Sequence, residues 1–280
     1  MYTTIYDDFM KKNGFNKPFP KYLYHYTNGE ALINILENDE FWLTHVKFLN
    51  DRKEYYEGVD LILTILEQRS AELGEELYQS LKSVFTNDQY LDKPLNDAIL
   101  SFSTHRDLLS QWRGYTKIGT SFCIGLDTMK LLSKDIRAYL RPCIYDKTEK
   151  VAIVNSIINQ ILDKYLKNGK KVQDANAEAF WLFQESVITF KSDAFKEENE
   201  WRLITFPFAN NSPEWNFRTC TTTIVPFVKQ KIDLKNCLHE IIIGPSENQK
   251  LSRDSLFFLM FKKDLWRNNV KLSNVPYRTI

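Results

Sequence analysis

The chain has 280 residues, of which 43% are apolar, enough for one large domain with a substantial core. Lys and Arg total 37 against 36 Asp and Glu, so no global charge draws the chain to DNA or to an anionic membrane. The four cysteines form neither a CxxC motif nor a Cys/His spacing, which argues against both a metal site and a disulfide framework.

Short apolar runs bounded by turn-forming residues predict a series of β-strands. They span residues 22–26, 41–44, 98–103, 120–126, 138–145, 200–206, 217–225 and 238–244, the last of which closes on Gly-Pro. Gly119, just before the fourth of these runs, and Gly125 within it indicate turns or a close approach of two backbones.

Apolar residues at helical spacing predict helices between these strands. Asn28 is the expected N-cap of the first helix, whose apolar face repeats at Leu32, Ile35 and Leu36. The other predicted helices span residues 55–66 (capped by Asn50 or Asp51), 150–166, 174–190 and 248–261, with a single turn in the loop 104–115.

The order of these elements indicates an α+β fold rather than a doubly wound one, because strands and helices do not alternate strictly. The residues before Pro18 are expected to form a loose arm, and the helices at 150–166 and 174–190 a helical insertion or layer. We see no convincing boundary and therefore expect a single domain over residues 1–280.

Polar clusters lie at or near the ends of three predicted strands that are far apart in sequence. The first is His25-Tyr26-Thr27. The second is Ser101 and Ser103, whose alternation puts both hydroxyls on one face of their strand. The third is Glu198 and Glu200, whose carboxylates share a face if that segment is extended.

Each of these residues also has a purely structural interpretation. His25 can satisfy its hydrogen bonds among its aromatic neighbours, and Glu200 can form a surface salt bridge with Arg202 or a lysine. Trp112 and Tyr115 can pack in the core, or they can stack on a flat ring from a mobile loop.

Several kinds of chemistry are excluded by missing motifs. The sequence has no Ser-His-Asp order with a nucleophile elbow, no glycine-rich phosphate loop and no HExxH helix. The histidine, serines and glutamates that remain suit chemistry at a sugar carbon, where a carboxylate against a ribose 2-hydroxyl stabilises developing positive charge.

The motifs of the chain resemble those of the ADP-ribosyltransferase superfamily, and more closely those of an uncharacterised bacterial family placed in it. The resemblance spans about residues 22–262. It rests on motifs in order along the chain: YHYT at 24–27, LND at 49–51, SFS at 101–103, WxxY at 112–115, FCIG at 122–125, ExEWR at 198–202 and IIIGP at 241–245.

The resemblance implies a split β-sheet core that grips NAD, as a substrate, in a cleft. His25 would bind the ribose hydroxyls, with Thr27 beside it, and Ser101 or Ser103 would match the serine of the second motif. Tyr26 stands where these enzymes have a small glycine, which would narrow the cleft.

The same resemblance implies the catalytic residues. Glu200 would be the catalytic glutamate that holds the 2-hydroxyl of the nicotinamide ribose, and Glu198 would orient the acceptor. Trp112 and Tyr115 would contribute to the NAD site by stacking.

The function implied is that of an NAD-dependent mono-ADP-ribosyltransferase, a bacterial toxin or phage-defence effector with an antitoxin or a chaperone as partner. A net basic segment from Lys229 onward leans towards a nucleic acid as acceptor, although a protein acceptor and a merely solvated surface stay open. An NAD glycohydrolase and an inactive nucleotide-binding or interaction module are the alternatives. Without a leader or an apolar run of membrane length, we expect a cytoplasmic protein with no membrane partner.

Overall fold

The structure, a computed structural model, describes residues 5–49, 52–86, 97–115, 121–132, 137–168, 172–205, 208–220, 222–265 and 269–276. It has a mixed α/β architecture built on one ten-stranded sheet. The strands are β1 (Tyr22–Asn28), β2 (Glu40–His45), β3 (Ala98–Ser103), β4 (Ser121–Asp127), β5 (Ala138–Pro142), β6 (Glu200–Thr205), β7 (Trp215–Thr219), β8 (Ile224–Lys231), β9 (Leu238–Ile243) and β10 (Asn269–Leu272).

Helices cover parts of the sheet and form a separate layer. They are α1 (Ile5–Lys12), α2 (Gly29–Asn38), α3 (Arg52–Gln68), α4 (Ser70–Leu73), α5 (Glu75–Thr86), α6 (Leu109–Tyr115), α7 (Thr128–Leu131), α8 (Lys147–Asn168), α9 (Val172–Thr189), α10 (Leu234–Cys237) and α11 (Gln249–Lys262). Two 3-10 turns lie at Val46–Phe48 and Asp193–Glu198.

The sheet forks at β3. The strand order is β10-β9-β4-β1-β3-β2-β8-β7, while β6 pairs along the other edge of β3 and β5 pairs with β6. Since β6 occupies one edge of β3 from Ile99 to Ser103, β1 and β2 must share the opposite edge. There β1 pairs with Ser103, and β2 pairs with Ala98 and Ile99. Between these positions the edge of β3 from Leu100 to Phe102 pairs with neither strand in the described ladders.

Two large hydrophobic clusters and two small ones hold the described residues together. One large cluster lies between the sheet and the helices α2 and α11, and includes Phe41, Phe102 and Met260. The second large cluster is formed by the helical layer, in which α9 packs against α1, α3, α5 and α8. The predicted helices at 150–166 and 174–190 are confirmed as α8 and α9, and they form part of this layer.

The passage from β1 into α2 follows from its sequence. Asn28 is the N-cap, and its side chain accepts a hydrogen bond of 2.9 Å from the backbone N–H of Ala31. Leu32, Ile35 and Leu36 are all buried, as their spacing predicts. The predicted caps of the next helix, Asn50 and Asp51, lie outside the described residues.

The prediction of a loose N-terminal arm is wrong over α1. Tyr6, Phe9 and Met10 are buried in the second cluster, and Asp7 contacts Arg141 at 2.9 Å. These apolar residues have the i, i+3, i+4 spacing of an amphipathic helix. The helix was missed because it spans only eight residues.

The single strand predicted at 217–225 is also wrong, because this region forms the β7–β8 hairpin. The backbone N–H of Cys220 donates to the carbonyl of Thr223 at 2.8 Å, so the chain reverses within the predicted strand. The segment Thr219–Thr223 holds no glycine, proline or asparagine, so the usual turn signal is missing. The helix α5 and the strand β10 were not predicted.

Within the described residues, no helix is long and apolar enough to cross a membrane. No group of His, Cys, Asp or Glu side chains there is arranged to hold a metal ion.

Candidate active site

A narrow cleft opens beside the fork in the sheet. Its free space is about 50 Å³. It is lined by residues of β1, β3 and α6, by the segment that leads into β6 and by the first residue of β6: Tyr24, His25, Tyr26, Ser101, Phe102, Gln111, Glu198 and Glu200. The structure therefore brings the three predicted polar clusters together. Thr27 is buried in the ladder between β1 and β4 and is not among these lining residues.

The side chain of His25 lies where β1 and β2 diverge along β3. Its Nδ1 lies 3.0 Å from the carbonyl oxygen of Ser101, and its ring meets Phe41 and Phe102 in edge-to-face contacts. Because a carbonyl oxygen only accepts, Nδ1 carries the proton and donates it. Burial lowers the pKa of His25, against the opposing effect of the Ser101 carbonyl. The imidazole is therefore neutral at pH 7, with Nε2 as a hydrogen-bond acceptor.

Glu200 lies in the same cleft with only 4% of its surface exposed. Its Oε1 accepts hydrogen bonds from Ser101 Oγ at 2.6 Å and from Arg202 Nε at 2.8 Å, and its Oε2 accepts one from Lys191 Nζ at 2.6 Å. Burial raises the pKa of Glu200, but the two neighbouring cations outweigh it and lower the pKa to about 2. The anticipated salt bridge with Arg202 or a lysine exists, but it is buried rather than at the surface.

Lys191 joins the two carboxylates of the third cluster. Its side chain is fully buried, and Nζ also lies 2.7 Å from Glu198 Oε2. Asn199 has a φ of 44°, so the chain turns between Glu198 and Glu200 and the segment is not extended, which was the condition for the two carboxylates to share a strand face. The carboxylates still converge, because both bind one ammonium group.

The two serines of β3 have different roles. Ser101 lines the cleft and donates its hydroxyl to Glu200. Ser103 is buried; its Oγ donates to the carbonyl of Glu198 at 2.6 Å and accepts from the N–H of His105 at 3.0 Å. Ser103 therefore fixes the backbone beside the cleft.

Tyr26 anchors the loop that precedes α6. Its hydroxyl donates to the carbonyl of His105 at 2.8 Å and accepts from the N–H of Leu108 at 2.9 Å. Burial raises the pKa of Tyr26 far above the usual value, so the hydroxyl stays protonated. The bulk of the ring at a position where a glycine was expected thus builds one wall of the cleft.

Trp112 packs in the interior instead of stacking in the cleft. Its Nε1 donates to Asp107 at 2.8 Å, and its ring meets Tyr26 edge to face. A Cβ at Gly244 would lie 2.9 Å from the Trp112 ring and 2.0 Å from Ser121 Oγ, so only glycine fits at this point of the IIIGP motif. The side chain of Tyr115 lies outside the part of the chain that the structure describes.

Gln111 is a cleft residue that sequence reasoning missed. It is 5% exposed, and its side-chain amide makes no hydrogen bond with any residue that the structure describes. Its neighbour Trp112 belonged to the WxxY motif, but nothing in the spacing distinguished Gln111 from other polar residues of the loop 104–115.

A larger cleft, of about 550 Å³, lies between α3, the segment from Tyr145 to the start of α8, and residues 190–196. Its charged side chains are mostly at the surface, as in the pair of Lys196 and Asp193 at 3.9 Å. Lys191 lines it too. Because the smaller cleft gathers buried polar groups from distant strands, we take the smaller cleft as the candidate site.

Comparison with known proteins gives one match. Residues 111–203 match a family described as a protein of unknown function (DUF2971). The matched segment contains Gln111, Lys191, Glu198 and Glu200. It begins after β1 and therefore does not include His25. No curated protein and no solved structure matches the chain.

Proposed function

We propose that the chain is an NAD-dependent mono-ADP-ribosyltransferase whose forked sheet is the split β-sheet core of that superfamily. The observation that supports this most is the link through Ser101. Its carbonyl accepts from His25, expected to bind ribose hydroxyls, and its hydroxyl donates to Glu200, expected to hold the 2-hydroxyl of the nicotinamide ribose, so Ser101 links the two residues across β1, β3 and β6.

The space in the cleft limits how NAD would bind there. Its free space of about 50 Å³ is far below the roughly 300–1,000 Å³ of ligand pockets, so the walls must move apart before the nicotinamide end of NAD can enter, and the adenosine end would lie outside. His25 Nε2 accepts a hydrogen bond from a ribose hydroxyl. Glu200 Oε1 accepts the 2-hydroxyl in place of the Ser101 hydroxyl.

Glu200 supplies the charge stabilisation that the reaction needs. Its low pKa keeps it ionised at pH 7, and positive charge develops on the ribose as the bond from C1 to the nicotinamide nitrogen breaks. Nicotinamide leaves with the bonding pair, and an oxygen or nitrogen of the acceptor forms the new bond to C1. Glu198, which lines the same cleft, takes the proton of the acceptor.

The biological role we propose is that of a cytoplasmic bacterial toxin or phage-defence effector. The acceptor is a nucleic acid or a protein, and an antitoxin or a chaperone holds the activity in check. Expression of the wild-type chain should slow growth of the host, and Glu200→Gln should relieve this effect. Harmless expression of the wild type would count against the role.

A second candidate is a module that binds NAD or a similar nucleotide without turnover. It is favoured by one observation: both oxygens of Glu200 already accept hydrogen bonds from protein groups. An NAD glycohydrolase, with water as the acceptor, is the third candidate.

Incubation with labelled NAD and cell extract tests these candidates. We expect a labelled macromolecule, and a loss on the order of a hundredfold in rate for Glu200→Gln. Glu185→Gln is the matched control, because Glu185 is also a buried, arginine-paired carboxylate but lies outside the cleft. Its rate should stay close to that of the wild type.

The other outcomes separate the candidates. Free ADP-ribose without a labelled macromolecule would indicate the glycohydrolase. NAD binding by calorimetry without turnover would indicate the binding module, and a wild-type chain that neither binds nor consumes NAD would overturn the proposal.

A further inference from the structure

Gln111 is the polar side chain of the cleft that the protein leaves without a partner. The residue is 5% exposed, and within the described ranges its side-chain amide neither donates nor accepts a hydrogen bond. The amide atoms of Gln111 are not among the described polar atoms that lack both solvent contact and a hydrogen-bond partner, so the amide faces the open space of the cleft, where solvent satisfies it. A ligand in the cleft would take the place of that solvent as its partner.

The position of Gln111 is fixed from both sides. Immediately before α6, the N–H of Leu108 is held by the hydroxyl of Tyr26. Immediately after Gln111, the Trp112 indole is held by Asp107 and packs against Tyr26. The amide is thus presented on a rigid support, as a recognition group needs to be.

The hydroxyl groups of the cleft walls are already committed. The Tyr24 hydroxyl donates to Glu240, that of Tyr26 is shared between two backbone groups, and that of Ser101 donates to Glu200. Gln111 adds a group that both donates and accepts. His25 Nε2 adds an acceptor.

The walls themselves are aromatic, since Tyr24, Tyr26 and Phe102 line the space. These side chains can contact the faces of a flat ring once the cleft widens beyond its free space of about 50 Å³. An amide that must both donate and accept is satisfied in full by another carboxamide, which returns one bond of each kind.

We propose that Gln111 binds the carboxamide of a flat heteroaromatic ring, and thereby selects the nicotinamide end of NAD; this rests on the proposed function. Gln111 determines specificity for a carboxamide over a carboxylate. A carboxylate in its place has no N–H for the Gln111 oxygen, and it also adds a negative charge beside Glu198 and Glu200.

Titration calorimetry with two ligands tests the assignment. The ligands are NAD and nicotinic acid adenine dinucleotide, which differ only in carboxamide against carboxylate. We expect the wild-type chain to bind NAD about tenfold more tightly, since one hydrogen bond distinguishes the two. Gln111→Met, which keeps the length of the side chain, should bring the ratio of the two dissociation constants close to one.

Gln230→Met is the matched control. Gln230 is a buried glutamine on β8 whose amide is satisfied by the N–H of Arg137 and the carbonyl of Lys231. This variant should lose stability yet keep the tenfold ratio. A second variant, Gln111→Asn, keeps the amide on a side chain shorter by one methylene group. Its ratio of the two dissociation constants should lie between those of the wild type and Gln111→Met. Circular dichroism confirms that each variant is folded.

The outcomes separate this inference from the proposed function. Equal affinities in the wild type, or a ratio that survives in Gln111→Met, would overturn the role of Gln111 while leaving the transferase proposal standing. A preference for NAD that Gln111→Met removes would support the role even without turnover. No binding of either dinucleotide by the wild type would overturn both.

Discussion

The replacement Glu200→Gln removes one buried negative charge while it keeps the shape of the side chain. Glu200 accepts charge-assisted hydrogen bonds from Lys191 and Arg202 and is 4% exposed, so solvent screens these interactions little. In the variant, Glu198 is the remaining carboxylate of the network that includes Lys191 and Arg202. We expect a marked loss of stability.

The size of the loss follows from the proton affinity of the carboxyl group. Its pKa falls from 4.5 to about 2 on folding, because the cations outweigh the cost of burial. Each tenfold change in proton affinity corresponds to about 1.4 kcal/mol, so the ionised group contributes about 3 kcal/mol at pH 7. This lies below the about 5–15 kcal/mol that typically stabilises a domain, so the variant should still fold.

The pH dependence has a definite sign. A carboxyl group whose pKa is lowered on folding stabilises the protein above its unfolded pKa and loses this effect as the pH falls through the folded pKa. The difference between wild type and variant should therefore shrink below pH 4.5, to about 2 kcal/mol at pH 3.5. Urea unfolding at pH 7, 5 and 3.5, followed by tryptophan fluorescence, measures it.

A difference that stays constant from pH 7 to pH 3.5, or that is below about 1 kcal/mol at pH 7, would refute this reasoning. Glu72→Gln is a control for ion pairing at the surface. Glu72 contacts Arg69 at 2.8 Å but is itself half exposed, and its replacement should change the stability far less.

Further replacements test the remaining supports of the cleft, each by urea unfolding at pH 7. Lys191→Met should lower the unfolding free energy by about 3–5 kcal/mol, because it leaves two buried carboxylates short of a cation. Adding Glu198→Gln to this variant should restore part of the loss. A Lys191→Met variant as stable as the wild type would contradict the ion-pair network. Tyr26→Phe should cost about 1–3 kcal/mol because the N–H of Leu108 loses its acceptor, and an unchanged midpoint would show that this N–H finds another. Gly244→Ala should cost about 1–3 kcal/mol through the clash of its methyl group, and neutral behaviour would mean that the contact is easily relieved.

Much of the fold could be predicted where the local pattern is strong. The strand β3 was predicted with its observed bounds, and Asn28 caps α2 as expected. In both cases the signal lies within a few neighbouring residues. Gly125 was expected to mark a close approach, and a Cβ there would lie 2.8 Å from the Tyr24 ring. Gly119 lies outside the described residues.

The predictions that failed concerned elements that depend on contacts between distant segments, or turns that lack their usual residues. The helix α1 is stabilised by burial against the helical layer, and its eight residues alone give a weak periodic signal. The β7–β8 turn uses threonines and a cysteine in place of glycine or asparagine.

The candidate site shows the same division. The polar residues at strand ends were found from the sequence pattern, and that His25, Ser101 and Glu200 lie at one cleft was implied by the resemblance to the ADP-ribosyltransferase superfamily. The fully buried Lys191 was not singled out, because its sequence neighbours give no sign that it will meet two carboxylates. Gln111 has no sequence signal at all, since only the folded cleft shows that its amide lacks a partner among the described residues.

The fork in the sheet has a consequence for motion. Within the described ladders, β1 is paired to β3 at the single position Tyr24–Ser103, and the side chain of His25 adds one bond to the carbonyl of Ser101. An opening between β1 and β3 would leave the ladders on either side intact, and its cost lies in the apolar contacts of the shared cluster, which includes Leu23 of β1 and Phe41 of β2. We expect hydrogen exchange to reveal this opening as a sub-global event, and a ligand that spans the cleft to slow it.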